Sequence, residues 1–128
     1  MMQDRQLFEY AVIRIVPRVE REEFLNVGVI LYCRNQQFLQ LLYAIDEKKL
    51  SLFSESIDMD DLRERLCSFR KICEGSPDGG PIARLDMASR FRWITAYRST
   101  VLQTSKVHPG LCVDAGETLQ KLYEQLVL

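Results

Sequence analysis

Long apolar runs are missing from this sequence. The 11 residues between Arg34 and Asp46 are uncharged, whereas a membrane-spanning helix needs about 20. The polar start MMQDRQ has none of the apolar stretch of a secretory signal. Histidine and tryptophan occur once each, as His108 and Trp93, so any imidazole chemistry must use His108. Cysteine is scarce. Cys33, Cys67, Cys73 and Cys112 form no C-x-x-C pair and match no zinc-ligand spacing, which reads as four reduced thiols in a cytoplasmic protein without a metal site. A dominant charge is also lacking: 17 basic and 18 acidic residues leave a net of −1, and no global field draws in nucleic acid or an acidic membrane. The phosphate-cradling patterns G-x-x-x-x-G-K-[ST] and G-x-G-x-x-G are absent, as is the nucleophile elbow G-x-S-x-G. These gaps leave no complete catalytic set and imply no cofactor.

What is present suits one globular domain. The 128 residues, 47% hydrophobic and 27% charged, are enough to bury a core and too apolar for disorder. Residues 10–16 alternate, with Ala11, Ile13 and Ile15 on one face, which predicts a strand ended by Pro17. A charged connection follows at 18–23. VGVILYC, residues 27–33, is nearly continuous in apolar and β-branched side chains, as in a strand buried on both faces. Gly28 within it marks a bulge or a close backbone approach. After a turn at 34–36, residues 37–45 read as the return strand, completing a three-strand antiparallel meander.

Helices are expected next. Residues 46–53 suit a short helix. Over 58–73, Met59, Leu62, Leu66, Phe69 and Ile72 make one apolar stripe, with Asp58 as N-cap and Gly75 as stop. Residues 75–81 form a loop. Residues 86–97 predict a second long helix, with Met87, Ala88, Phe91 and Ile94 inward, and 99–105 a further strand. Pro109-Gly110 reads as a turn. Asp114 with Glu117 starts a C-terminal helix whose inner stripe is Leu119, Leu122, Tyr123 and Leu126. The expected fold is α+β: an antiparallel sheet, made of the N-terminal meander plus a later strand, packed against about three helices.

The candidate site lies in the stretch RFRWITAYRSTVLQTSKVHPG, residues 90–110. Between Arg84 and His108 the net charge is +4, against −5 over the rest, so charge is segregated along the chain. Guanidinium forks and hydroxyls are donors suited to phosphate or carboxylate. Helical spacing turns Arg92 away from Arg90, by about 200° at ~100° per residue. The residues left as ligand-binding candidates are Arg90, Arg98, Ser99, Gln103 and His108. Phe91, Trp93 and Tyr97 could stack bases, but their helical spacing favours core. No acidic residue orients His108 within the block, so no catalytic residue is assigned.

Two runs carry a resemblance. YAVIRIVPRVEREEFLNVGVILYC (10–33) and RFRWITAYRSTVLQTSKVHPGLC (90–112) are similar to the two signature blocks of the bacterial domain-of-unknown-function family 3037. The resemblance covers nearly the whole chain. It implies a small cytoplasmic bacterial protein that works with a protein partner, a kinase-like neighbour being one such partner. The expectation is a non-catalytic accessory or protein-interaction module. The alternative is a small enzyme or ligand-binding domain for a phosphorylated or anionic substrate. Nucleic acid and membrane are not expected partners.

Overall fold

The computed structural model describes residues 4–18, 23–96, 98 and 100–128. Within them the chain forms strands β1 (Gln6–Ile15), β2 (Leu25–Cys33) and β3 (Phe38–Tyr43), then helices α1 (Glu47–Phe53) and α2 (Met59–Glu74). A 3₁₀ helix (Pro81–Arg84), α3 (Met87–Thr95), β4 (Leu102–Thr104), β5 (His108–Cys112) and α4 (Ala115–Leu126) follow. The fold is α+β. The sheet is antiparallel and open, ordered β3-β2-β1, with β4 and β5 sharing the far side of β1.

The sheet has helices on both faces. Ala11, Ile13, Ile30, Tyr32, Leu39 and Leu41 face α1, α2 and α3 through Leu50, Leu66, Phe69, Ile72, Phe91 and Ile94. Phe8, Val29, Leu31 and Cys33 face α4 through Ala115 and Leu119. This explains VGVILYC: β2 is central enough to be covered above and below, so neither of its faces needs polar residues. Each fully buried Leu or Ile contributes ~1.5–3 kcal/mol, so the two small cores together outweigh any surface pair.

Local signals place the helix ends. Asp46, Asp58, Asp86 and Asp114 each cap a helix by accepting from the backbone N–H three residues on. Gly75 ends α2 in the left-handed region, at φ 67°. Gly28 meets both expectations set for it. The β1–β2 register shifts beside it, between Ile13 and Arg14, and a Cβ there would lie 2.7 Å from the Leu42 carbonyl oxygen.

Three details differ from the sequence reading. Helix α3 stops at Thr95, and Tyr97 lies outside the described residues. The strand expected over 99–105 is three residues long, Leu102–Thr104. Pro109 and Gly110 stand inside β5 and make no turn. The short helix expected over 46–53 is α1, one of four described α-helices. The connection at 19–22 lies outside the described residues.

β4 and β5 are one strand interrupted by a bulge. Ile13 pairs with Thr104 and Tyr10 with His108, so Lys106 and Val107 together oppose Ala11. Ser105 holds the ladder across the break. Its N–H donates to the Val12 carbonyl at 2.8 Å, and its hydroxyl accepts from the Val12 N–H at 2.8 Å. Gly110 is required by the strand packing: a Cβ there would meet the Phe8 ring at 2.5 Å.

Candidate functional site

Arg90 is spent on a helix end. The last carbonyls of a helix lack intrahelical donors and carry partial negative charge. Arg90 reaches from α3 to the C-terminus of α2, and its Nη1 donates to the carbonyls of Ile72 at 3.2 Å and Cys73 at 3.0 Å. Gly75 makes room for it, since a Cβ there would stand 2.7 Å from Nη1.

Arg98 does the same for α3. Its Nη1 donates to the carbonyls of Ile94 (2.6 Å) and Ala96 (3.1 Å), and its Nη2 to that of Trp93 (2.6 Å). The guanidinium also lies over the rings of Trp93 and Phe69, with centroids 4.6 and 5.2 Å away. Desolvation lowers its pKa from the ordinary value. Trp93 is 39% exposed and packs edge-on against Phe69, so it belongs to the rim of the core and not its centre. The two arginines line different clefts, Arg90 one with Glu74 and Met87 and Arg98 one with Phe69 and Trp93.

The remaining candidates stand elsewhere. Gln103 donates to the Thr100 carbonyl at 2.8 Å and pairs across the sheet with Arg14. His108 is exposed on β5, its ring stacked against Tyr10 with centroids 5.3 Å apart. Tyr10 packs on the α4 side of the sheet, whereas Arg90 and Arg98 belong to the α2–α3 side. Ser99 lies outside the described residues. The structure therefore does not bring Arg90, Arg98 and His108 to one place. His108 and Cys112 are also divided in environment: Cys112 is buried, and desolvation raises its thiol pKa, with the Cys33 thiol beside it. Among the described residues no three His, Cys, Asp or Glu side chains group as metal ligands would. No described helix is long and apolar enough to cross a membrane.

Arg14 is a cation to which the sequence reading assigns no role. It lies on the second face of β1, between Asn26 of β2 and Gln103 of β4 in register, with its guanidinium 3.9 Å from the Phe24 ring centroid. Desolvation lowers its pKa. The signal was present in the alternation of residues 10–16, which puts Arg14 opposite the apolar face.

An uncovered corner of the sheet has a different character. Leu7 and Leu111 are direct partners in the β1–β5 ladder and are 59% and 62% exposed. Partnered residues share a face, and Leu7 lines a cleft of ≈ 400 Å³ with Tyr32, Ala88 and Arg92, which sets the pair on the α3 side. Arg34, Asn35 and Glu9 also line that cleft. The β2–β3 turn is fixed beside β5 by Gln36, which donates to the Val113 carbonyl (2.8 Å) and accepts from the Ala115 N–H (2.9 Å). Val113 is itself exposed. Two leucines that should complete a core, two arginines and a shallow cleft thus meet at one corner. Sequence alternation alone could not reveal it, because Leu7 and Leu111 look like core residues until the reach of α3 is known.

A family model described as Protein of unknown function (DUF3037) matches residues 10–127, nearly the whole chain. No curated protein and no solved structure matches it.

Proposed function

We propose that the chain, which belongs to the Protein of unknown function (DUF3037) family, is a non-catalytic protein-interaction module whose partner docks on the Leu7–Leu111 corner. The observation that supports this reading is the paired exposure of Leu7 and Leu111 on a sheet face whose central rows are buried under helices. Apolar area of this kind is favourable to cover, at about 25 cal/mol per Å². Arg34 and Arg92 outnumber Glu9 in the cleft lining and favour a partner that adds carboxylates to apolar side chains. The kinase-like partner implied by the family resemblance is the first bait to use.

A photo-crosslinking residue at position 111, introduced in the native cell, tests the reading. The expected result is one dominant crosslinked protein, lost when Arg92→Glu is added. The same crosslinker at Leu52, 90% exposed on α1, controls for non-specific capture. Equal capture from both positions, or none from position 111, contradicts it.

The second reading keeps an anionic ligand and moves it to the other face. Gln103 and His108 stand there with Arg14, and the row Asn26–Arg14–Gln103 holds no acid. Tyr10 and Arg14 are four residues apart, about 13 Å at ~3.3 Å per residue, so the ligand would have to be extended. Titration with inorganic phosphate and with a nucleoside monophosphate, followed through the His108 and Tyr10 ring resonances, tests it. Unchanged resonances with both end it.

A further inference from the structure

β3 is an edge strand without the usual guards. The Ala44 N–H donates to the Val27 carbonyl at 2.9 Å, which sets the phase of the β2–β3 ladder. By alternation the backbone groups of Phe38, Gln40 and Leu42 face β2, and those of Leu39, Leu41 and Tyr43 face outward. β3 ends the strand order, so no further strand covers them among the described residues. The other edge of the sheet is protected. Pro109 occupies an outward-facing position where its missing N–H offers nothing, and the bulge at Lys106–Val107 breaks the line. FLQLLY has no charge, no proline and no register shift.

We propose that β3 pairs antiparallel with β3 of a second copy of this chain, about a two-fold axis at Gln40, joining two sheets into one. The edge is self-complementary about that point, as an isologous interface requires. Gln40, exposed, faces its own counterpart. Leu39 faces Leu41 of the second copy, and Phe38 faces Leu42. Phe38 and Leu42 are each partly exposed on the α4 side and cover one another in the pair. Charge agrees with the same axis. Arg70 lies over the Tyr43 ring at 4.7 Å, near one end of β3, and Glu74 flanks the other end in a groove with Gln37 and Phe38. The two-fold brings Arg70 of one copy alongside Glu74 of the other, twice. This interface uses the edge remote from β5 and is independent of the Leu7–Leu111 corner.

Charge exchange at position 40 tests the axis. Gln40 is exposed, so Gln40→Lys and Gln40→Glu leave the core untouched. The unmodified chain is expected to be a dimer by light scattering across a concentration series. Each single variant is expected to be a monomer with an unchanged circular dichroism spectrum. An equimolar mixture of the two variants is expected to recover a heterodimer by native mass spectrometry. A monomeric unmodified chain at every concentration overturns the proposal. So does a dimer that Gln40→Lys leaves intact, or one that Leu111→Glu breaks.

Discussion

The guanidinium of Arg90 lies 3.0 Å from the Cys73 carbonyl oxygen and closes the C-terminus of α2 from a different helix. An arginine in the most basic part of the chain thus binds backbone carbonyls. Arg90→Ala is expected to destabilise the fold by about 1.5–3 kcal/mol, the range for hydrogen bonds to charged groups. Arg90→Lys should recover less than half of that, because Nη1, which donates to both carbonyls, stands one bond farther along its side chain than a lysine ammonium does. Urea denaturation of the two variants measures it. An unchanged midpoint in Arg90→Ala contradicts the structural role.

Gly110 and Phe8 form one packing unit across the β1–β5 ladder. Gly110→Ala drives a methyl into the Phe8 ring, and the expected cost is about 1–3 kcal/mol. Phe8→Leu shortens the obstacle, so the penalty of Gly110→Ala is expected to shrink in the double variant. A double-mutant cycle in thermal stability reads the coupling. Strict additivity would show that the ring is not the constraint.

The four thiols differ in reach. Cys67 is exposed, and the others are buried. Burial pushes the Cys73 thiol up to about 12, so it holds almost no thiolate at pH 8. An aromatic disulfide reagent at pH 8 is expected to label one cysteine in the native protein and four in urea, by intact mass. Cys67→Ser removes the native label. Rapid native labelling of Cys73 contradicts this packing.

Acid acts through the α3 cap. Hydrogen bonding from Ser89, by side chain and backbone, holds the Asp86 carboxyl below its ordinary value. A depressed carboxyl stabilises the fold above the unfolded value, about 3.9, and that contribution fades as pH falls through the lower folded value. Asp86→Asn keeps a capping side chain without the titration. Comparing urea midpoints at pH 7 and pH 3, the unmodified chain should lose more stability than Asp86→Asn. Equal losses contradict the assignment.

Much of the fold was legible in residue order. The period-2 pattern at Ala11, Ile13 and Ile15 and the stripe Leu62–Leu66–Phe69 both landed in the core, because each pattern belongs to a long element with one buried face. β5 was missed because Pro109-Gly110 imitates a turn. Only the pairing with β1 shows that the proline faces an open edge and that the glycine sits under Phe8. The candidate site was less legible. Helical spacing correctly parted Arg90 from Arg92, which line different grooves. It could not show that Arg90 and Arg98 meet carbonyls, since backbone acceptors leave no mark in a sequence. The Leu7–Leu111 corner was hidden for a similar reason: exposure depends on where α3 ends.

The interaction reading stands or falls on the affinity of the protein crosslinked from position 111. Titrated by calorimetry against the unmodified chain and Leu111→Asp, it is expected to bind the variant at least about tenfold more weakly, ~1.4 kcal/mol. The thermal midpoint should not change, because Leu111 is already exposed. Equal affinity for both chains would contradict a docking surface at the Leu7–Leu111 corner.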